Sequence, residues 1–198
     1  MNVDGAVQLG RREQNKAETR LAIQRAAVEL FEERGYDQTT VDDIARRAEV
    51  APRTFFRYFP SKELTLFSDD VSERLATLIA RAPAHLSPLD TLELCLAQLM
   101  EDDPSDLDRR RQSLRRQLSE QPGVTRQFAH VQNLIAERTR VAFLDRLQHT
   151  GEPHPELMAD AIVAIQLGLA LTFTDGEPDQ REIVRHWFDA VRAVIGQR

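Results

Sequence analysis

The sequence predicts an all-α fold, on three observations. Apolar residues recur at i, i+3, i+4 and i+7 through most of the chain. No segment shows the period-two alternation of a half-buried strand. Prolines fall largely at the borders of the periodic segments, where a helix starts or stops.

The elements follow in order. Residues 1–16 lack apolar periodicity, carry Gly5, Gly10, Arg11 and Arg12, and read as a flexible arm. Ala17 to Arg34 is the first helix, with Ile23, Ala27, Leu30 and Phe31 on one face and Gly35 ending it. Thr40 is an N-cap for a short second helix, and Asp43, three residues on, takes the place of the usual Glu of a capping box. Val41, Ile44, Ala45 and Ala48 form its apolar stripe. Pro52 opens a third helix at the one position where a missing N–H costs nothing. Phe55, Phe56 and Phe59 anchor it and Pro60 stops it.

Ser61 caps a long fourth helix through Leu64, Phe67, Val71, Leu75 and Leu78, ended by Pro83 and Pro88. Leu89, Leu92, Leu96 and Leu99 mark a fifth. Pro104 to Glu120 is a charged sixth, and Pro122 opens a seventh containing Phe128, Val131, Ile135 and Val141. After the loop from Gly151 to Pro155, Glu156 to Phe173 is a nearly all-apolar eighth. Val184, Trp187, Phe188, Val191, Val194 and Ile195 give the last helix a sharp stripe. Residues 17–62 thus read as a small three-helix head and residues 63–198 as a body of about six helices.

Composition removes several classes. With 41% hydrophobic and 29% charged residues the chain suits an ordinary water-soluble domain. No run reaches the roughly 18 apolar residues of a membrane span, so no membrane partner is expected. Cys95 is the only cysteine, which excludes an intrachain disulfide, argues against a cysteine-built metal site and suits a reducing, cytoplasmic setting. His149, Glu152, His154 and Glu156 share one loop, which its glycine and two prolines make a polar turn; no metal is expected. Neither a glycine-rich phosphate loop nor HExxH, GxSxG or paired catalytic carboxylates occur, so neither enzyme nor cofactor is expected.

Charge is divided unevenly. Residues 1–62 hold 11 Lys+Arg against 10 Asp+Glu, while the rest holds 15 against 22. Within Arg46–Lys62 the positive Arg46, Arg47, Arg53, Arg57 and Lys62 face only Glu49. A local positive patch on an acidic chain permits nucleic-acid binding without demanding it.

The segment Thr39 to Lys62, TTVDDIARRAEVAPRTFFRYFPSK, has the layout of two short helices joined by a tight turn. Such a pair can lay its second helix in a DNA major groove, about 12 Å wide. Arg53, Thr54, Arg57 and Tyr58 supply hydrogen-bonding groups on that helix. Lys62 suits a phosphate, and Thr40 is both a cap and a candidate phosphate contact. Phe55, Phe56 and Phe59 read as packing residues. Arg11 and Arg12 are either minor-groove contacts or part of a merely solvated arm.

Thr40, Ile44, Ala45, Ala48, Val50, Thr54, Phe59 and Lys62 fit the pattern T-x-x-x-I-A-x-x-A-G-V-S-x-x-T-x-Y-x-x-F-x-x-K, and over Ala17–Leu66 the chain resembles the TetR family of bacterial regulators. Three residues depart from that pattern. Glu49 replaces the turn glycine, a cost of about 1 kcal/mol if its φ is positive. Ala51 replaces the serine N-cap, losing about 1 kcal/mol. Phe56 replaces a tyrosine and so has no hydroxyl for a phosphate. The stretch RTFFRYFPSK is similar to a subgroup that includes the mycofactocin regulators, some of which respond to acyl-CoA.

The resemblance implies a homodimeric repressor of a palindromic double-stranded DNA operator, released by a small-molecule effector. It implies an interface from the last two helices, for which Ile165, Leu169, Val184, Trp187, Val191 and Val194 are the candidates, since a lone chain would leave much of their stripe exposed. It also implies an effector cavity reached by the fifth to eighth helices, where Leu96, Met100, His130, Leu134 and Gln166 are the candidates and a largely apolar ligand is expected. Gln166 is either a satisfied core group or a ligand or dimer contact. Arg109, Arg110, Arg111, Arg115 and Arg116 read as ion-pair partners of Asp102, Asp103, Asp106 and Asp108, with a phosphate-bearing effector as the other reading. The alternative for the whole chain is a helical ligand-binding or scaffold protein without sequence-specific DNA binding.

Overall fold

The computed structural model describes residues 3–68, 70–100, 105–148, 150–172 and 180–196, without the side chains of 3–13, 171, 172 and 180. The described residues form nine α-helices and no strand: α1 (Val3–Arg34), α2 (Val41–Arg47), α3 (Pro52–Tyr58), α4 (Val71–Arg81), α5 (Pro88–Leu99), α6 (Asp106–Gln117), α7 (Pro122–Leu147), α8 (Pro155–Thr172) and α9 (Gln180–Ile195). A 3-10 turn, Glu63–Leu66, lies between α3 and α4. Among the described residues no helix is long and apolar enough to cross a membrane.

The chain divides into two units. The first comprises residues 1–67 and 104–127, and the second residues 68–103 and 128–198. The first unit thus groups α6 and the start of α7 with the three helices read as the head. Helix α1 also starts at Val3, within the segment expected to be an arm. Residues 11–18, RREQNKAE, are mostly good helix formers, and a helix needs no apolar stripe to run on from one already packed.

In the first unit, α1 supplies Ile23, Ala27, Val28, Leu30 and Phe31 to the core and packs on α2, α6 and the 3-10 turn. Ile44 and Ala45 of α2, Leu66, Phe67, Leu107, Leu114 and Val124 complete it, all buried. Three arginines of α6 hold this unit together. Arg110 grips the Glu32 carboxylate, its Nε 3.1 Å from both oxygens. Arg111, itself buried, pairs with Asp108 and donates to the Phe67 carbonyl at 3.3 Å. Arg115 donates to the Leu66 carbonyl at 2.6 Å, and burial pulls its pKa down to about 10, so it stays charged at neutral pH.

These bonds explain why the predicted long fourth helix is broken. The Phe67 carbonyl also accepts from Gln24 Nε2 at 3.0 Å, and Phe67 is extended (φ −109, ψ 151). With the Leu66 and Phe67 carbonyls taken by α1 and α6, the chain leaves helical geometry there and resumes it at Val71. The ion-pair reading of the arginine run holds for Arg110 and Arg111; Asp102 and Asp103 lie outside the described residues.

The second unit has its own core. Leu75 and Ile79 of α4, Leu92, Cys95 and Leu96 of α5, Phe143 and Leu147 of α7, Ala159, Ile162 and Leu169 of α8, and Val184 and Phe188 of α9 form one buried cluster. Trp187 closes over Gly168, where an added Cβ would lie 2.7 Å from the indole ring and would force the indole to shift. Arg192 ties α9 to Asp90 and Glu93 of α5, and Arg146 caps the Ala82 carbonyl at 2.9 Å. Helix α7 buries Ala136, Thr139, Phe143 and Leu147, leaving Phe128 and Val141, two of the residues read as its apolar face, exposed.

Candidate nucleic-acid interface

The site is built on α2 and α3. Thr40 caps α2 as expected: its hydroxyl accepts from the Asp43 N–H at 3.2 Å, and Asp43 accepts from the Thr40 N–H at 3.2 Å. Hydrogen bonds from Thr40, with Arg34 adding its charge, hold the Asp43 carboxyl at about 2, well below the usual carboxylate range. The capping box fixes where α2 begins. At its other end Val50 N–H returns to the Ala45 carbonyl (2.9 Å) and Glu49 N–H to the Arg46 carbonyl (3.2 Å), a Schellman closure.

That closure requires a left-handed residue, and Glu49 sits there at φ +56, the only non-glycine with positive φ among the described residues. The strain expected at this departure is therefore present. Glu49→Gly is expected to raise the stability of the chain by up to about 1 kcal/mol, read as a higher denaturation midpoint with an unchanged slope. No gain would mean that the turn relaxes around the glutamate. Ala51 begins α3 with no side-chain cap, and Pro52 at the first position is its remaining start signal.

Helix α3 is anchored from one side. Phe55 and Phe59 are fully buried, with ring centroids 5.9 Å apart. Arg20 of α1 lies over the Phe59 ring at 4.3 Å and reaches the Tyr58 carbonyl at 3.4 Å, a role the sequence reading missed. The opposite face carries Arg53, Phe56 and Arg57, all exposed. Thr54 and Tyr58 are half-buried at its borders. The Arg53 side chain makes no hydrogen bond or ion pair among the described residues, and the Arg57 guanidinium lies 5.2 Å from the ring centre of Tyr58.

Three of the five cations in the expected patch are engaged elsewhere. Arg47 pairs with both oxygens of Glu33 (2.9 and 2.7 Å) and with Glu29, stapling α2 to α1. Arg46 pairs with Asp43 at 3.1 Å. Lys62, read as a phosphate contact, donates to the carbonyls of Tyr36 (2.7 Å) and Thr39 (2.9 Å) and sits 3.9 Å above the Tyr36 ring. Burial lowers its pKa from the usual lysine value, against the opposing charges of Glu63 and Asp37. Lys62 thus ties the segment after α3 to the α1–α2 turn. Thr39, buried and bonded to the Gly35 carbonyl at 2.8 Å, helps hold that turn. Phe56 is corrected as well: read as a packing residue, it is 54% exposed and touches Phe55 only edge-on.

Of the other sequence candidates, the side chains of Arg11 and Arg12 lie outside the described residues, as does His149. Glu152 accepts from the His154 backbone N–H at 3.2 Å, as in a polar turn. Leu169 and Val184, read as interface residues, are each 2% exposed inside their own unit's core, so they have no surface to offer a second copy. Ile165, Trp187 and Val191 are half-buried and Val194 is exposed. His130 and Leu134, read as effector contacts, are exposed on α7, while Leu96 and Gln166 are buried and Met100 is half-buried.

A braced short helix showing a cationic face, set by a left-handed turn behind a capped helix, is a helix-turn-helix head. Residues 23–64 match the bacterial regulatory proteins of the tetR family, so the head of this chain is similar to the heads of those regulators. The chain is 45% identical over 86 residues to the HTH-type transcriptional regulator TcmR of Streptomyces glaucescens, covering 42% of this chain and 38% of that protein. It is 34% identical over 95 residues to the mycofactocin biosynthesis transcriptional regulator MftR of Mycobacterium tuberculosis, covering 47% and 48%, which bears out the narrower likeness. The chain spans less than half the length of these curated relatives. A TetR-family structure from Mesorhizobium loti shares the fold with TM-score 0.52 at 20% identity, over 91% of this chain and 96% of that one.

Proposed function

We propose that the chain is a sequence-specific DNA-binding transcriptional regulator, acting in the cytoplasm as a homodimeric repressor that a small, largely apolar effector releases from a palindromic operator. One observation carries the reading. Helix α3 and its C-cap bury Phe55 and Phe59, and the helix turns Arg53 and Arg57 outward, free of internal acidic partners among the described residues. Arginine is the side chain best suited to guanine O6 and N7 in the major groove. With Lys62, Arg46 and Arg47 engaged inside the head, these two arginines carry the groove contact, and Thr40, Thr54 and Tyr58 border it.

Pairing through α8 and α9 is supported by the stripe left over by the second unit's core: Val194 is 74% and Ile195 60% exposed, next to half-buried Val191, Trp187 and Ile165. The effector reading rests on Gln166, whose side-chain oxygen is buried with no hydrogen-bond partner. A ligand amide or hydroxyl would relieve that deficit. An effector can release the DNA only by preferring the unbound conformation, since equal affinity for both states shifts nothing.

The test uses the full chain on duplexes selected from a randomised library, with copies per duplex counted by sedimentation. Two copies on a two-fold symmetric sequence are expected. Arg53→Ala is expected to weaken binding by about 1–3 kcal/mol and to relax the preference at one base position. Failure to enrich any sequence, or unchanged binding by Arg53→Ala and Arg57→Ala, would overturn the reading.

A further inference from the structure

We propose that Phe56 reads a thymine in each half-site through the 5-methyl group, an inference that rests on the DNA-binding reading above. Phe56 is 54% exposed on α3, while Phe55 of the same helix and Phe59 at its C-cap are fully buried. It stands one turn after Arg53 and next to Arg57, so the exposed face is an apolar disc bracketed by two cations. Packing does not explain it: its ring meets Phe55 edge-on, at 5.6 Å between centroids, and more than half of it faces solvent.

The chemistry of a major groove narrows what can cover such a ring. The floor of the groove consists of hydrogen-bond donors and acceptors except at thymine, whose C5-methyl is its apolar group. The phosphates beside the groove need a donor, and phenylalanine has none. Wedging between base steps is a minor-groove device, and the two arginines flanking Phe56 suit the major groove instead. A ring held between two guanine-reading cations therefore gains most by covering a methyl, and it disfavours a polar edge that it would desolvate without a partner. The expected half-site places a thymine beside the guanine or guanines contacted by Arg53 and Arg57.

Deoxyuridine tests this without altering the protein, because it differs from thymine only in lacking the methyl group. In duplexes selected by the full chain, each thymine is replaced in turn by deoxyuridine and affinity is measured by fluorescence anisotropy. At one thymine per half-site the replacement is expected to weaken binding about fourfold, the worth of one buried methyl group. Phe56→Ala is expected to bind thymine and deoxyuridine duplexes equally, while Phe56→Leu retains part of the difference. Because Phe56 is exposed, both variants are expected to fold, which circular dichroism checks. Equal affinity of the parent for thymine and deoxyuridine at every position, or a difference that survives Phe56→Ala, overturns the inference while leaving DNA binding intact. Absence of any selected duplex overturns the DNA-binding reading itself, and this one with it.

Discussion

Phe59→Ala is expected to destabilise the head by about 3–5 kcal/mol, a large fraction of the 5–15 kcal/mol that holds a typical domain. Phe59 is fully buried, stacks at a tilt on Phe55, and carries the Arg20 guanidinium 4.3 Å above its ring. Truncation opens a cavity at the end of α3 and removes the surface on which Arg20 rests. Arg20 is also the group that reaches the Tyr58 carbonyl, so α3 loses its tie to α1 together with its anchor. Thermal or urea unfolding measures the loss. A variant within 1 kcal/mol of the parent would mean that α3 is not held from this side.

Lys62→Ala is the second large effect, and it separates two roles for one side chain. As a tie between the segment after α3 and the α1–α2 turn, Lys62 makes two charge-assisted hydrogen bonds, to the carbonyls of Tyr36 and Thr39, and covers the Tyr36 ring. Its loss is expected to cost about 2–3 kcal/mol of stability. The salt dependence of DNA binding, measured where the variant is folded, is expected to stay as in the parent. A phosphate contact would give the reverse: unchanged stability and a salt slope smaller by about one ion.

These two residues mark how far the sequence could be read. The capping box of Thr40 and Asp43, Gly35 after α1 and Pro52 at the start of α3 were all legible, because each acts on backbone within a few residues of itself. Glu49 was legible as a conditional: the turn needed a left-handed residue, and it has one at φ +56. What escaped depends on distant partners. The break at Phe67 comes from Gln24, Arg111 and Arg115, which lie 43 to 49 residues from the carbonyls they hold.

The positive patch misled for the same reason. Arg47 looked free until α1 brought Glu29 and Glu33 against it, and Lys62 until the α1–α2 turn brought two carbonyls. Helix α7 shows the limit of periodicity alone. It carries two apolar stripes, and the smaller residues Ala136 and Thr139, with Phe143 and Leu147, won the core over Phe128 and Val141. Phe56 could have been separated from Phe55 and Phe59 on spacing, since one residue's turn of about 100° takes it off their shared face.

The central claim is that duplex DNA lies on the outward face of α3, and backbone hydrogen exchange tests it most directly. The full chain is compared with and without a saturating selected duplex. Slowed exchange is expected over Thr40–Tyr58, strongest around Arg53 to Arg57, with a scrambled duplex giving a weaker effect at the same sites. Slowed exchange confined to residues 128–198, with α2 and α3 unaffected while the duplex is bound, would contradict the account.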